Sequence, residues 1–185
     1  MTKTDILIEL LNEVLNLNPS NLVGTITRDF EEAGIIYCVI GGMSLSPYNY
    51  ARYTDDVDLI VSKDTFKLIK KHLVGKAGYV NRPGSTKNIS YQLSSGKKIP
   101  IDILIEGDKE NNFIIPSPKD IRTKINGIWY VSLLKLIELK LESSRPRDLQ
   151  DILNLIINNE LTQKYSVNLA KQYQKKFVDL FGGLK

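Results

Sequence analysis

Asp56 and Asp58 stand two residues apart at the mouth of an apolar run, TDDVDLIV. Residues i and i+2 of an extended strand point to the same face. A strand here therefore sets two carboxylates side by side and turns Val57 towards the core. Like charges in that position repel unless a cation lies between them. An earlier apolar run, IIYCVIGG, closes on Gly41-Gly42 and predicts a buried strand that ends in a tight turn. A later one, IPIDILI, carries the lone acid Asp102, with Ile101 and Ile103 pointing the other way. If the two acid-bearing strands are neighbours, three carboxylates gather on one face of a sheet.

The remaining segments fill in around these strands. TDILIELLNEVLN, residues 4–16, spaces apolar side chains as a helix does, and Pro19 and Ser20 open a second helix that runs to Gly34. KDTFKLIKKHL reads as an amphipathic helix with Phe66, Ile69 and Leu73 on one face, ending near Gly75 and Gly78. NRPGSTKN is a loop. ISYQLS and IPIDILIEG, joined by SGKK, form a β-hairpin. SPKDIRTKINGIWYVS is mixed, with a short helix and a short strand. SLLKLIELKLES is helical, RPRDLQDILNLI is a helix with proline in its first turn, and Thr162 to Phe181 forms a last, basic, tyrosine-bearing helix.

These segments predict an α+β fold: a small mixed sheet of about four to five strands with helices on one side, followed by a C-terminal helical region. Residues 1–130 would hold the α/β core with its N-terminal helices, and residues 131–185 the helical region packed on it.

Composition narrows the class of protein. The chain has 185 residues, 42% hydrophobic and 25% charged, enough for a real core. Its one cysteine, Cys38, lies in an apolar run, so no internal disulfide forms and a reducing, cytoplasmic setting fits best. No run of eighteen apolar residues predicts a membrane helix, and the start lacks the plan of a signal peptide. The net charge of +4 permits an anionic partner such as a nucleotide or RNA without demanding one.

Glycines after a strand let the backbone turn sharply and approach a ligand, and the amides of such a turn can receive phosphate oxygens. Hard carboxylate oxygens suit Mg²⁺, which is commonly held by carboxylates together with substrate phosphates. Phosphoryl chemistry asks for positioning and charge neutralisation more than for a covalent nucleophile, so the lack of a Ser-His or Cys-His arrangement is no objection. Each feature alone has a plainer reading: Gly-Gly as a simple turn, Asp-x-Asp as a solvated strand edge, Asp102 as the partner of a Lys or Arg. The ordered set is what points to a site.

That set resembles the nucleotidyltransferase superfamily of DNA polymerase β-like fold. The residues are Ile40-Gly41-Gly42, a spacer, then Asp56-Val57-Asp58-Leu59. A narrower resemblance is to AbiEii-like proteins. It rests on Gly41-Gly42-Met43-Ser44, on Arg52-Tyr53-Thr54-Asp55-Asp56-Val57-Asp58, and on Lys140 followed by Arg145-Pro146-Arg147-Asp148-Leu149-Gln150-Asp151.

The resemblance implies a division of labour. Asp56 and Asp58 would bind Mg²⁺ with an NTP. Asp102 would ligate a second ion and draw the proton from an acceptor hydroxyl. The turn of Gly41, Gly42 and Ser44 would hold phosphates, and Lys140 would be a point charge on the triphosphate. The acceptor would be tRNA or another RNA end, a protein, or a small hydroxylated molecule, and the AbiEii likeness tilts towards toxin–antitoxin biology. A non-catalytic nucleotide-binding or antitoxin module of the same fold is the alternative.

Other residues carry competing readings. Arg52 either contacts phosphate or forms a salt bridge to Asp55 or to a sheet acid, and Thr54 orders the turn before the Asp pair or joins the nucleotide site. Asp148 and Asp151 sit in the first turns of a helix, where acids favour the dipole, or serve the site. Asp55 reads as a solvated neighbour, His72 as exposed, Cys38 as core, Trp129 and Tyr130 as packing, and the tail lysines as a solvated face.

Overall fold

The structure is a computed structural model that describes residues 19–76, 78–110 and 113–183. The helix expected over residues 4–16 lies outside the described residues. The chain divides into two compact units, Met1–Met43 with Tyr53–Tyr130, and Ser44–Arg52 with Val131–Lys185.

In the first unit, helix α1 (Pro19–Glu32) buries Leu22, Val23, Ile26 and Phe30, one apolar stripe at helical spacing. It stops where Gly34 takes φ 70°. The Gly34 amide donates to the Glu31 carbonyl and the Ile35 amide to that of Phe30, which satisfies two carbonyls of the last turn. The chain then enters β1 (Tyr37–Ile40) and, after the intervening loop, β2 (Val57–Val61). The expected helix after β2 is a short coil-to-helix passage that widens into a π-helical turn over Ile69–Leu73; Ile69 and Leu73 are buried and His72 is exposed.

Next come β3 (Tyr79–Asn81), β4 (Ile89–Gln92) and β5 (Lys98–Ile105), with β4 and β5 paired as the expected hairpin. A separate two-stranded ribbon joins β6 (Lys109–Glu110) to β7 (Phe113–Ile114). A short helix, α2 (Pro118–Ile121), packs against β1, and β8 (Arg122–Ile125) and β9 (Ile128–Val131) complete the sheet.

That sheet has seven strands in the order β3-β4-β5-β2-β1-β9-β8, larger than the four to five expected. It is mixed: β2 runs parallel to β5 and β1 parallel to β9, while β1–β2, β3–β4 and β4–β5 are antiparallel. The extra strands have a local cause. Asn126 and Gly127 both adopt positive φ, 49° and 86°, the two-residue turn that folds β8 onto β9. β3 is only three residues long and shows no alternation to read. One core cluster joins α1 to one sheet face, through Tyr37 and Val39 of β1, Val57, Leu59 and Val61 of β2, and Ile101 and Ile103 of β5.

The second unit is helical. α3 (Leu133–Ser143) starts at Ser132, whose hydroxyl accepts from the Lys135 amide, and ends at Ser144 with φ 49°. α4 (Pro146–Asn158) has proline in its first turn, where no amide hydrogen is needed. The single tail helix expected is two pieces, a 3-10 helix over Gln163–Asn168 and α5 (Lys171–Gly182). α3, α4 and α5 pack on one another around Ile137, Leu141, Leu155 and Phe177. Among the described residues, no helix is long and apolar enough to cross a membrane.

Candidate active site

The strand register builds one row of side chains across three strands. Ile40 of β1 lies opposite Asp58 of β2, and Asp58 lies opposite Asp102 of β5. Because Val57, Leu59, Ile101 and Ile103 point into the core cluster, Asp58 and Asp102 project from the other face. Asp56, two residues ahead of Asp58, joins them. One carboxylate oxygen from each of Asp56, Asp58 and Asp102 lies within 4.8 Å of the other two, and all three residues are half-buried. Asp55 is exposed and outside this group.

Gly41 closes one side of the cluster. Its φ is 63°, and a Cβ built on it would lie 1.9 Å from Asp58 Oδ2 and 2.7 Å from Asp58 Cγ. The turn can approach the carboxylate only because no side chain is there. Gly42 is buried. On the other side, the hydroxyl of the buried Thr54 donates to Asp56 Oδ1 and fixes that carboxylate.

Asp102 has a partner that the sequence reading did not name. Arg82 Nη1 donates to Asp102 Oδ1, with 38% and 35% of the two side chains exposed. Pro83-Gly84 made the turn legible in the sequence, but nothing in it said that the arginine ahead of the turn reaches across to β5.

The second unit gathers the remaining candidates. Lys140 is buried, and its Nζ donates to Asp148 Oδ1 at 3.1 Å and to Asp151 Oδ2 at 2.6 Å. Arg52 Nε donates to Asp151 Oδ1 at 2.9 Å, and its Nη2 to Oδ2 at 3.2 Å. Asp151 is thus an acid partner of Arg52. Ser143 Oγ and Arg145 Nε each donate to Asp148 Oδ2 at 2.6 Å.

Burial alone would push the Asp148 carboxyl up. The hydrogen bonds from Arg145 and Ser143 and the charge of Lys140 override it and hold the group at about 2. Lys140, Asp148 and Asp151, together with the sequence-distant Arg52, therefore form one ion-pair network. Ser44 is fully buried.

Other residues take plain packing roles. Cys38 is buried, and burial pushes its thiol up to about 12, despite the opposing charge of Arg122. Trp129 and Tyr130 pack against the core, with the Arg122 guanidinium 4.2 Å from the centre of the Trp129 ring.

A divalent metal fits the first cluster on this chain's own features. The donors are hard carboxylate oxygens close enough to share an ion. Gly41, having no side chain, gives the Asp58 carboxylate the room it needs to join the other two.

Among solved structures, an antigenic nucleotidyltransferase-like protein from Paracoccidioides brasiliensis aligns with a TM-score of 0.53 at 16% identity, over 75% of this chain and 75% of that one. JHP933 from Helicobacter pylori aligns at 16% identity over 92% of this chain and 84% of its own, with a TM-score of 0.49. ANT(2″)-Ia in complex with adenylyl-2″-tobramycin aligns at 13% identity over 88% and 95%, with a TM-score of 0.48. No protein-family model matches the sequence, and no curated protein is similar to it in sequence. The likeness to the first of these structures is one of fold: this chain has the nucleotidyltransferase-like fold.

Proposed function

We infer that the protein is a Mg²⁺-dependent nucleotidyltransferase that moves an NMP from an NTP to an acceptor hydroxyl. The observation that carries this reading is the meeting of Asp56, Asp58 and Asp102 on adjacent strands, ligand atoms within 4.8 Å, beside the side-chain-free turn at Gly41. When bound, Mg²⁺ neutralises phosphate charge, and a pair of ions can clamp the attacking and leaving oxygens.

The chain's own residues supply the rest. Asp56 and Asp58 would hold the ion that neutralises the triphosphate, with Thr54 keeping the Asp56 carboxylate in place. The Gly41-Gly42 turn offers backbone amides to the phosphates. Asp102 takes the proton from the acceptor hydroxyl. The acceptor oxygen bonds to the α-phosphorus, the bond from that phosphorus to the bridging oxygen breaks, and pyrophosphate leaves. A reducing, cytoplasmic setting agrees with the NTP requirement and with the buried thiol of Cys38.

The second reading is a non-catalytic nucleotide-binding or antitoxin module. Arg82 favours it, because its guanidinium is already on the carboxylate that would serve as base.

Incubation with NTPs labelled on the α-phosphate, Mg²⁺, and a panel of tRNAs, proteins and small hydroxylated compounds separates the two. Metal-dependent movement of label to one acceptor class supports transfer and names the acceptor, and with it the resistance, modification or toxin–antitoxin role. Binding of MgNTP with no label transferred to any acceptor supports the second reading.

A further inference from the structure

The loop between β3 and β4 is built to deliver Arg82 to Asp102. Arg82-Pro83-Gly84-Ser85 is a tight turn: the Ser85 amide donates to the Arg82 carbonyl at 3.2 Å, and Gly84 takes φ 76°. Proline then glycine at the central positions suits this geometry. The Ser85 hydroxyl accepts from the Asn88 amide at 2.9 Å and from the Lys87 amide at 3.3 Å, which braces the return of the chain. Asn88 Oδ1 accepts from the Ile103 amide at 2.9 Å. The loop is therefore tied to β5 twice, through Arg82 on Asp102 and through Asn88 on the residue beside it. The guanidinium is held by a braced turn, and its exposure leaves it a path to solvent.

We propose that Arg82 is the resident counter-ion of Asp102, and that a divalent cation reaches this carboxylate only by displacing it. Arg82 thereby sets how tightly the nucleotide-free protein holds metal. The inference rests on the metal-dependent reading of the site. The guanidinium on Asp102 offsets part of the charge of the carboxylate cluster, which suits a resting site. Once divalent ions neutralise the cluster, the guanidinium meets repulsion where it met attraction. It then leaves Asp102 and is free to meet the negative charge of a bound triphosphate. Metal loading at Asp102 and release of Arg82 are thus one exchange.

The test is Mn²⁺ binding to nucleotide-free protein, followed by the paramagnetic resonance of free Mn²⁺, for wild type, Arg82→Ala, Arg82→Lys, Asp102→Asn and the double variant Arg82→Ala/Asp102→Asn. Arg82→Ala should bind Mn²⁺ about two- to fivefold more tightly, the scale expected for losing a partly exposed competing ion pair. Arg82→Lys should lie near wild type. In the Asp102→Asn background, the arginine change should have no effect. Arg82→Gln repeats the measurement with a side chain of similar reach, should alanine disturb the fold. Wild-type Mn²⁺ binding that is unchanged or weaker in both Arg82→Ala and Arg82→Gln overturns this inference and leaves the nucleotidyl-transfer reading standing. No Mn²⁺ binding by any variant, with or without ATP, overturns both.

Discussion

Gly41 and Asp58 occupy space that would otherwise be shared: a Cβ on Gly41 would lie 1.9 Å from Asp58 Oδ2. Two separate demands therefore fall on this position. The backbone needs φ 63°, and the carboxylate needs room. Any L side chain here must either push Asp58 off the row it shares with Asp102 or unwind the turn.

Gly41→Ala should accordingly damage both site and fold. The left-handed backbone alone costs an L residue about 1–2 kcal/mol, and displacement of Asp58 adds to it. Thermal unfolding should show the stability loss, and calorimetry should show MgATP affinity falling with it. Unchanged nucleotide affinity in a folded Gly41→Ala protein would mean that the turn does not shape the binding site.

Asp58→Asn should separate the same two properties. It removes one charge from a repulsive group of three carboxylates, so the metal-free protein should be as stable as wild type or slightly more stable. MgATP binding should be strongly weakened. Calorimetry with Mg²⁺ and with EDTA is the check, and equal wild-type affinity in the two conditions would contradict a metal-bridged triphosphate.

The meeting of the three carboxylates in the first unit is legible in the sequence because three signals reinforce one another. The i, i+2 spacing of Asp56 and Asp58, the lone Asp102 among isoleucines and the glycine pair after an apolar run each state a local geometry. A parallel β2–β5 pairing then aligns the two acid-bearing strands. What escaped was either short or distant. β3 has three residues, too few to show a period. The Asn126-Gly127 turn was a hairpin signal that went unread within a mixed segment. Arg82 meets Asp102 across twenty residues, and Lys140 meets Asp151 across eleven. A side chain's partner is set by tertiary geometry that no spacing rule contains. The resemblance sets Lys140 on the triphosphate, and its buried ion pairs with Asp148 and Asp151 are nowhere in that motif.

Lys140→Ala should unfold the protein more readily. It leaves Asp148 and Asp151 buried with one cation fewer, and removal of one partner from a buried ion pair typically costs about 3–5 kcal/mol. Arg52 and Arg145 remain to offset part of that, so the lower end is expected. Denaturant unfolding measures the loss. Wild-type stability combined with weakened MgATP binding would instead assign Lys140 to the triphosphate.

Asp148 predicts an acid limb in the same experiment. Its carboxyl is held at about 2 in the folded chain, against 3.8 for a free group. A depressed folded value contributes stability that is fully present above the unfolded value and is lost as pH falls through the folded one. Stability should therefore decline between about pH 4 and pH 2, with Asp148 contributing on the order of 2 kcal/mol. Asp148→Asn, compared with wild type across that range, should flatten the decline.

Asp102 decides between enzyme and binder. It lies between Ile101 and Ile103 on β5, yet it projects from the face opposite their core, beside Asp56 and Asp58. If Asp102 receives the acceptor's proton, Asp102→Asn should remove transfer almost completely, since a general base typically contributes about 10²–10⁴-fold and loss of a metal ligand adds to that. Nucleotide binding should suffer less than in Asp56→Asn, because Asp56 and Asp58 hold the first ion. The variant also releases Arg82 from its ion pair with Asp102, so electrostatic attraction for the triphosphate should be preserved or rise. Transfer rates and MgATP affinities for the two variants make the comparison. Wild-type transfer in Asp102→Asn would make Asp102 a structural partner of Arg82. Absence of transfer in the wild type, with MgATP still bound, would leave that ion pair as the resting state of a protein that binds nucleotides without turning them over.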